Sequence, residues 1–524
     1  MGIQRSKQSQ FVSRVSWLAC LAGLLAFGCS GDRHPEVLVL VNSESPISVA
    51  IGETYAARRG IPGRNILPLS IPLEDTNLTH PADASISRSN YETLIRDPVA
   101  RFLETTGRAQ EIEIIVTTLG IPLRVSGPRA PDSLWLRDTT GASVDAELAL
   151  LFSQRDGAPG VVDTTNPYYD SAESFSRFRQ RHPDSSLRYL VARLTGYPTE
   201  IDSETGVPRS ILRLIDAAQA PAAEAGVWVV DEDPSRPESA EIANALLLAP
   251  AATSLTDLGL AVRHETTTAF ASEVAGIQGY VSWGSSDGAD PGAPTYGQIE
   301  GALYPGHFNP RALAMSLDSR SARSFAELNP PDASLVVDLV DAGAAGVLGH
   351  VEDPTLPGVA RPHILLRRYA EGVPAAEAFF RSIPYLGWMN VYIGDPLMTL
   401  PPSGLGEPGE DMDGDGVPDA KDNCSAVANP DQRDSNDDGF GNLCDGDVDN
   451  DGRVTSSFGA IFPIEERGDI ERIALSIRRG AYRPDHDLDG DEDVDARDLS
   501  IAQLHLFLPP GPSGRAEPPN RESR

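Results

Sequence analysis

Between Glu36 and Leu400 the chain alternates short apolar runs with stretches of helical periodicity. The runs are Val37 to Val41, Ile112 to Val116, Tyr189 to Ala192, Val227 to Val230, Ile277 to Trp283, Ala312 to Ser316, Gly346 to Gly349 and Val391 to Ile393. Short, largely apolar runs of this kind suit strands covered on both faces. Helical patterns fall between several of them, at Tyr91 to Glu104, Arg209 to Ala218, Leu335 to Ala342 and Ala375 to Ile383. After the first run, Ser45-Pro46 offers a cap and an N1 proline and Gly60 a stop, so a helix is expected between them. The alternation predicts an α/β fold over 36–400, with a mostly parallel sheet in an αβα sandwich. Ligands of such sheets sit outside the carboxyl ends of strands, which makes the residues just after each run the ones to inspect.

Past Pro401 the pattern changes. Pro401-Pro402-Ser-Gly-Leu-Gly-Glu-Pro-Gly reads as a linker over 401–410, and acidic residues then take up a fixed register. Asp411, Asp413, Asp415, Gly416, Asp419 and Asp422 form one loop; Asp434, Asn436, Asp438, Gly439 and Asp445 form a second. Calcium takes six to eight oxygens, and carboxylates at positions 1, 3, 5 and 12 with glycine at 6 let a loop turn round one ion. An acidic disordered tail is the competing reading, but a tail needs no register. A third loop opens with Asp447, Asp449, Asp451 and Gly452, and carries Val454 as an apolar anchor at position 8. Phe458 stands at its twelfth position, so a later residue such as Asp469 is needed to complete it. The fourth loop holds Asp487, Asp489, Asp491, Asp493, Asp495 and Asp498, with Val494 as anchor and Glu492 where glycine belongs. Each of these two leads toward an amphipathic stretch, Ile470 to Ile477 and Leu499 to Leu506.

Asp422-Asn423-Cys424, Asn429-Pro430-Asp431-Gln432 and Cys444-Asp445 make 411–446 resemble a thrombospondin type 3 repeat, which implies calcium as the ligand. The chain has four cysteines, two of them in the N-terminal segment at Cys20 and Cys29. Cys424 and Cys444 are therefore expected to pair in an oxidising exterior and clamp the segment as in such repeats. Residues 447–508 resemble a dockerin type I module; because of Phe458 and Glu492, a calcium fold without a cohesin partner is preferred. Residues 509–524, rich in Pro, Gly and Arg, read as a disordered tail.

Arg5, Lys7 and Arg14 precede an apolar run from Val15 to Phe27, too short to span a bilayer securely, which reads as a secretory signal over 1–28. Ala26-Phe27-Gly28-Cys29 resembles a bacterial lipobox. The resemblance implies lipidation of Cys29 and a lipoprotein of the outer surface; Ala26 and Phe27 are atypical, so plain cleavage and release stays open. The net charge of −33, concentrated in the C-terminal loops, argues against nucleic acid as a partner and for cations.

The region 37–400 resembles gingipain-type cysteine peptidases with their caspase-like sheet. The resemblance rests on Val37 to Arg59, Thr117-Thr118, Ser143-Val-Asp145, Asn166-Pro-Tyr-Tyr169, Val191-Ala-Arg193, Gly279 to Gly284, Ala312 to Ser316, Gly343 to Gly349 and Gly394-Asp395-Pro396-Leu397. Val-Asn-Ser (41–43), Gly-Ile-Pro (120–122), Ser143 to Leu151, Ser-Trp-Gly-Ser (282–285) and Ala360 to Leu365 also resemble a large bacterial family of uncharacterised secreted proteins. Peptidase chemistry of that type needs a thiolate activated by histidine. No cysteine exists between Cys29 and Cys424, Trp283 matches the histidine position, and the cysteine position falls near Leu317, Asp318 and Ser319. A thiol mechanism is excluded.

The remaining catalytic candidates at strand ends are Ser285, Asp287, Asp318, Ser319 and His350, with Ser286, Ser316, Glu352, Asp353 and His307 nearby and Asp145, Glu147 and Arg193 approaching from loops. A serine hydrolase would pair one of those serines with His350 or His307, but no Gly-x-Ser-x-Gly elbow is present. The reading that results is a secreted or surface-anchored calcium-binding protein of the bacterial cell envelope. Its sandwich binds or scaffolds a protein or polysaccharide partner, and a Ser/His/acid hydrolase is the alternative.

Overall fold

The computed structural model describes residues 33–72, 85–126, 141–153, 164–223, 225–234, 242–283, 298–299, 302–303, 305–318, 320–325, 335–352, 355–401, 413, 415–456 and 468–515. The expected signal, Cys29 and nearly all of the expected linker lie outside these residues.

Ten strands form the central sheet: β1 (Val37–Asn42), β2 (Ile66–Leu69), β3 (Ile114–Thr118), β4 (Leu190–Leu194), β5 (Val227–Asp231), β6 (Ala261–Glu265), β7 (Val274–Ser282), β8 (Gly306–Ser316), β9 (Gly346–His350) and β10 (Asn390–Gly394). Their order is β2-β1-β3-β4-β10-β9-β8-β7-β5-β6. Every neighbouring pair is parallel except β9 and β10. The expected mostly parallel α/β sheet is therefore present, built as two parallel blocks running in opposite directions. β1, β3, β4, β9 and β10 are buried along their whole length, as their Val- and Ile-rich sequences require.

The two blocks repeat one topology. In chain order the first four strands lie 2-1-3-4, and the next five lie 2-1-3-4-5. The blocks meet where Gly346 pairs with Gly394. Gly394 has φ +150, and a Cβ there would come within 2.9 Å of the Gly346 Cα, so the junction admits only glycine. Asp395, next along, is fully buried and accepts from the Tyr55 hydroxyl at 2.8 Å and from the Arg59 guanidinium. The Gly-Asp-Pro-Leu motif is thus an architectural joint.

Helices cover both faces. On one, α1 (Pro46–Arg59) packs beside α2 (Arg209–Gln219) and the short helix Val336–Asp341. Ser45 caps α1 by accepting from Ser48 N at 3.3 Å, Pro46 follows it, and Gly60 ends the helix at φ 72, all as expected. On the other face α3 (Ala249–Asp257), α4 (Pro362–Ala370) and α5 (Ala375–Ser382) pack in a row.

The helix expected over Tyr91 to Glu104 is broken into Arg88–Tyr91, a π turn at Glu92–Arg96 and Asp97–Thr105. Pro98 lacks an N–H for the ordinary ladder, and the wider turn absorbs the gap; the π segment Asn244–Leu248 precedes Pro250 in the same way.

Candidate metal centres and the strand-end cluster

The four acidic loops share a backbone device. At position 6 of each, Gly416, Gly439, Gly452 and Glu492 have φ of 92, 93, 93 and 72. Glu492 enters left-handed space despite its side chain, so the turn survives the loss of glycine.

Three of the loops gather carboxylates: Asp413, Asp415 and Asp422; Asp447, Asp449 and Asp451; Asp487, Asp489 and Asp498. In each set one oxygen per residue lies within 4.8 Å of the others, close enough for a single cation. Asp422 Oδ2 and Asp449 Oδ1 are buried with no hydrogen-bond partner, a state that is costly for a carboxylate and suits a metal ligand. In the loop of 434–445, Asp434 closes the turn by accepting from Asp437 N at 2.7 Å and Gly439 N at 3.0 Å. The Asn436 amide there sits between Asp438 and Asp445, at 3.2 and 3.4 Å. Asp411 lies outside the described residues.

Asp469, the first residue of α6 (Asp469–Arg479) and the acid expected to complete the third loop, reaches back to that loop's backbone. Fully buried, it accepts from Asp449 N at 3.1 Å and from Thr455 N at 2.7 Å. Burial, and then the charges of Asp449 and Asp447, push its carboxyl up to about 7. Asp498 rises to about 6 through burial and the charge of Asp489, and Asp445 to about 8 through burial and Asp438. Each of these carboxyls is raised by desolvation first and by neighbouring like charge second, the conflict a divalent cation removes.

Other acids in the register do backbone work. Asp495 caps α7 (Ala496–Leu504) by accepting from Arg497 N at 2.7 Å. Asp491 accepts from Asp493 N at 2.9 Å, and Asp493 from Val494 N at 2.8 Å. Asp419 starts the turn Asp419–Lys421, outside the cluster of Asp413, Asp415 and Asp422.

The loops form one packed body. Val454 and Val494, the two position-8 anchors, share a core with Ile470, Ile473, Leu488 and Ile501. Arg433, just ahead of the second loop, grips Asp487 of the fourth at 2.8 Å, and the Asn442 amide donates to the Asp487 carbonyl at 2.9 Å. Cys424 and Cys444 are disulfide-bonded and fully buried, with Cα atoms 5.6 Å apart. Residues 509–515, expected to begin a disordered tail, instead lie along the loops: Gly511 N donates to Cys444 O at 3.1 Å and Gly514 N to Asp422 O at 2.8 Å.

In the sandwich, β7 and β8 are neighbours with Ser282 opposite Ser316, so Trp283 and Asp318 emerge at adjacent strand ends as expected. Leu317 N donates to Ser282 O at 2.9 Å, and Trp283 Nε1 to Asn244 Oδ1 at 2.6 Å. His350 is buried; its backbone N–H donates to Ser321 Oγ at 3.3 Å and its ring Nδ1 lies 3.2 Å from the Asp318 carbonyl. Ser285, Ser286, Asp287, Ser319 and Asp353 lie outside the described residues. His307 sits near the amino end of β8, roughly 30 Å from Ser316 at strand rise, and so lies at the opposite end of the strand from the cluster.

The candidates expected on loops lie on the short helix Val144–Ala149 and on β4, and they are structural ties. Asp145 receives Arg193 Nε at 3.0 Å and Nη2 at 2.5 Å, both residues buried, and Glu147 receives Arg88 at 2.7 Å. Glu352 pairs with Arg124 at 2.6 Å. A polar residue missed by the sequence reading is Asp231, buried at the end of β5 beside β7, where the strand order reverses. It accepts from Ala271 N at 3.0 Å, and burial with its charge holds the Tyr280 phenol well above the usual range. Its position directly after the Val227 to Val230 run was the available signal.

Residues 409–432 match the thrombospondin type 3 repeat, a calcium-binding module that occurs in extracellular proteins. No curated protein matches the chain. Among the described residues no helix is long and apolar enough to cross a membrane.

Proposed function

We propose that this is an exported calcium-binding protein in which all four acidic loops fold round calcium, and in which a caspase-like sandwich without a thiol nucleophile binds a protein or polysaccharide at the cell surface. The observation that carries the calcium reading is the repeated register: Asp at 1 and 5, Asp or Asn at 3 and a left-handed residue at 6, in loops whose buried carboxylates crowd one another. The match over 409–432 supports it for the first loop. The tie-up of Asp145, Glu147 and Glu352 in ion pairs favours binding over acid–base work in the sandwich.

Calorimetric titration of chelator-stripped protein with calcium tests the reading, together with limited proteolysis with and without chelator. Several equivalents of calcium should bind, and chelation should open cleavage within 413–498. Identical digestion patterns and no calcium heat would refute it.

A further inference from the structure

Where the loop body meets the sandwich, a cavity of about 260 Å³ opens between them. Its walls are mostly apolar, with Leu247 on the sandwich side and Val427 and Leu504 on the loop side. Arg361, at the N-cap of α4, lines it and is only 5% exposed. The guanidinium donates to three carbonyls, those of Val359 at 2.5 Å, Pro357 at 3.3 Å and Leu504 at 3.0 Å, and is hydrogen-bonded to the Tyr169 phenol, all of them uncharged partners. Among the described residues no carboxylate pairs with it. Asp170, the acid that also lines the cavity, is engaged by Arg368 at 2.8 Å. A buried cation ordinarily has a counter-charge, because desolvating it alone is expensive.

Two further features point the same way. The first turn of α4, a nine-residue helix, has no side-chain cap, so its positive end faces this region. The His363 ring, two residues on, also lines the cavity, and its Nδ1 is enclosed without a hydrogen-bond partner. Burial first, and then the charges of Arg361 and Arg367, push that imidazole down to about 3.

We propose that this cavity is a binding site for a small organic carboxylate with an apolar body, its anionic end on Arg361 and its body against the leucine and valine walls. The neutral His363 donates Nδ1–H to the second carboxylate oxygen. Apolar walls with a few convergent polar groups at the junction of two bodies are the usual make-up of a small-molecule site.

The test is calorimetric titration of the full, calcium-loaded chain with benzoate, with benzyl alcohol as the uncharged isostere. Benzoate should bind saturably and benzyl alcohol about tenfold more weakly or worse, the loss expected for one charge-assisted contact. Arg361→Met should remove the preference for the anion. Val427→Trp, which fills the cavity and leaves Arg361 in place, should abolish binding of both and decides the matter if Arg361→Met fails to fold. Equal affinity for the two probes, no saturable benzoate binding, or undiminished benzoate binding by Val427→Trp would overturn the proposal.

Discussion

Position 6 of a calcium loop passes through left-handed space, and a residue with a Cβ does so at a cost of about 1–2 kcal/mol. Glu492 carries that strain at φ 72. Glu492→Gly should raise stability in saturating calcium by roughly 0.5–1 kcal/mol once glycine's greater freedom in the unfolded chain is offset. Urea denaturation measures the gain; a loss would mean the side chain holds something of its own. Asp469 is the sharper case. Removing its charge by Asp469→Asn should weaken calcium at the third loop by about tenfold or more, the cost of one charged ligand interaction. Asp419→Asn, outside the clusters, should leave calcium titration unchanged. In the sandwich, Asp145→Asn leaves Arg193 buried with its charge uncompensated, and a loss of about 3–5 kcal/mol in urea denaturation is expected.

At the scale of elements, the buried strands were legible because Val- and Ile-rich runs have no other stable home. β2 and β6 were not, since they are edge strands; β6 reads Ala-Val-Arg-His-Glu and is only partly buried, so it lacks an apolar run. The acidic loops were legible down to the anchors Val454 and Val494 because the register of an acidic loop of this kind fixes residue type by position. What sequence spacing did not give was the opposition of the two parallel blocks: direction is set by the one antiparallel pairing of β9 with β10, a contact between residues 40 to 48 positions apart. The disulfide acts at this scale too. It closes a separation of 20 residues, so a Cys424→Ser, Cys444→Ser double variant should lose about 3 kcal/mol in calcium-saturated denaturation.

Across the whole molecule, the described residues of the sandwich and the loops share an interior. Leu508 belongs to the sandwich core, Leu506 to the loop core, and Leu246 of the sandwich packs against the loop core in return. Tyr385 donates to the Leu506 carbonyl and Arg361 to that of Leu504, fastening the end of α7 to the sandwich. Such sharing imposes reciprocity. If calcium holds the loops in the form that delivers Leu508, the sandwich must favour calcium by the same free energy that calcium lends the sandwich. A fragment ending at 401 should therefore unfold at lower urea than the full chain, and a fragment of 411–515 should bind calcium more weakly than the full chain does. The full chain's own denaturation midpoint should fall on chelation for the sandwich as well as for the loops, so that an ion bound at the last fifth of the chain decides how long the first four-fifths stays folded.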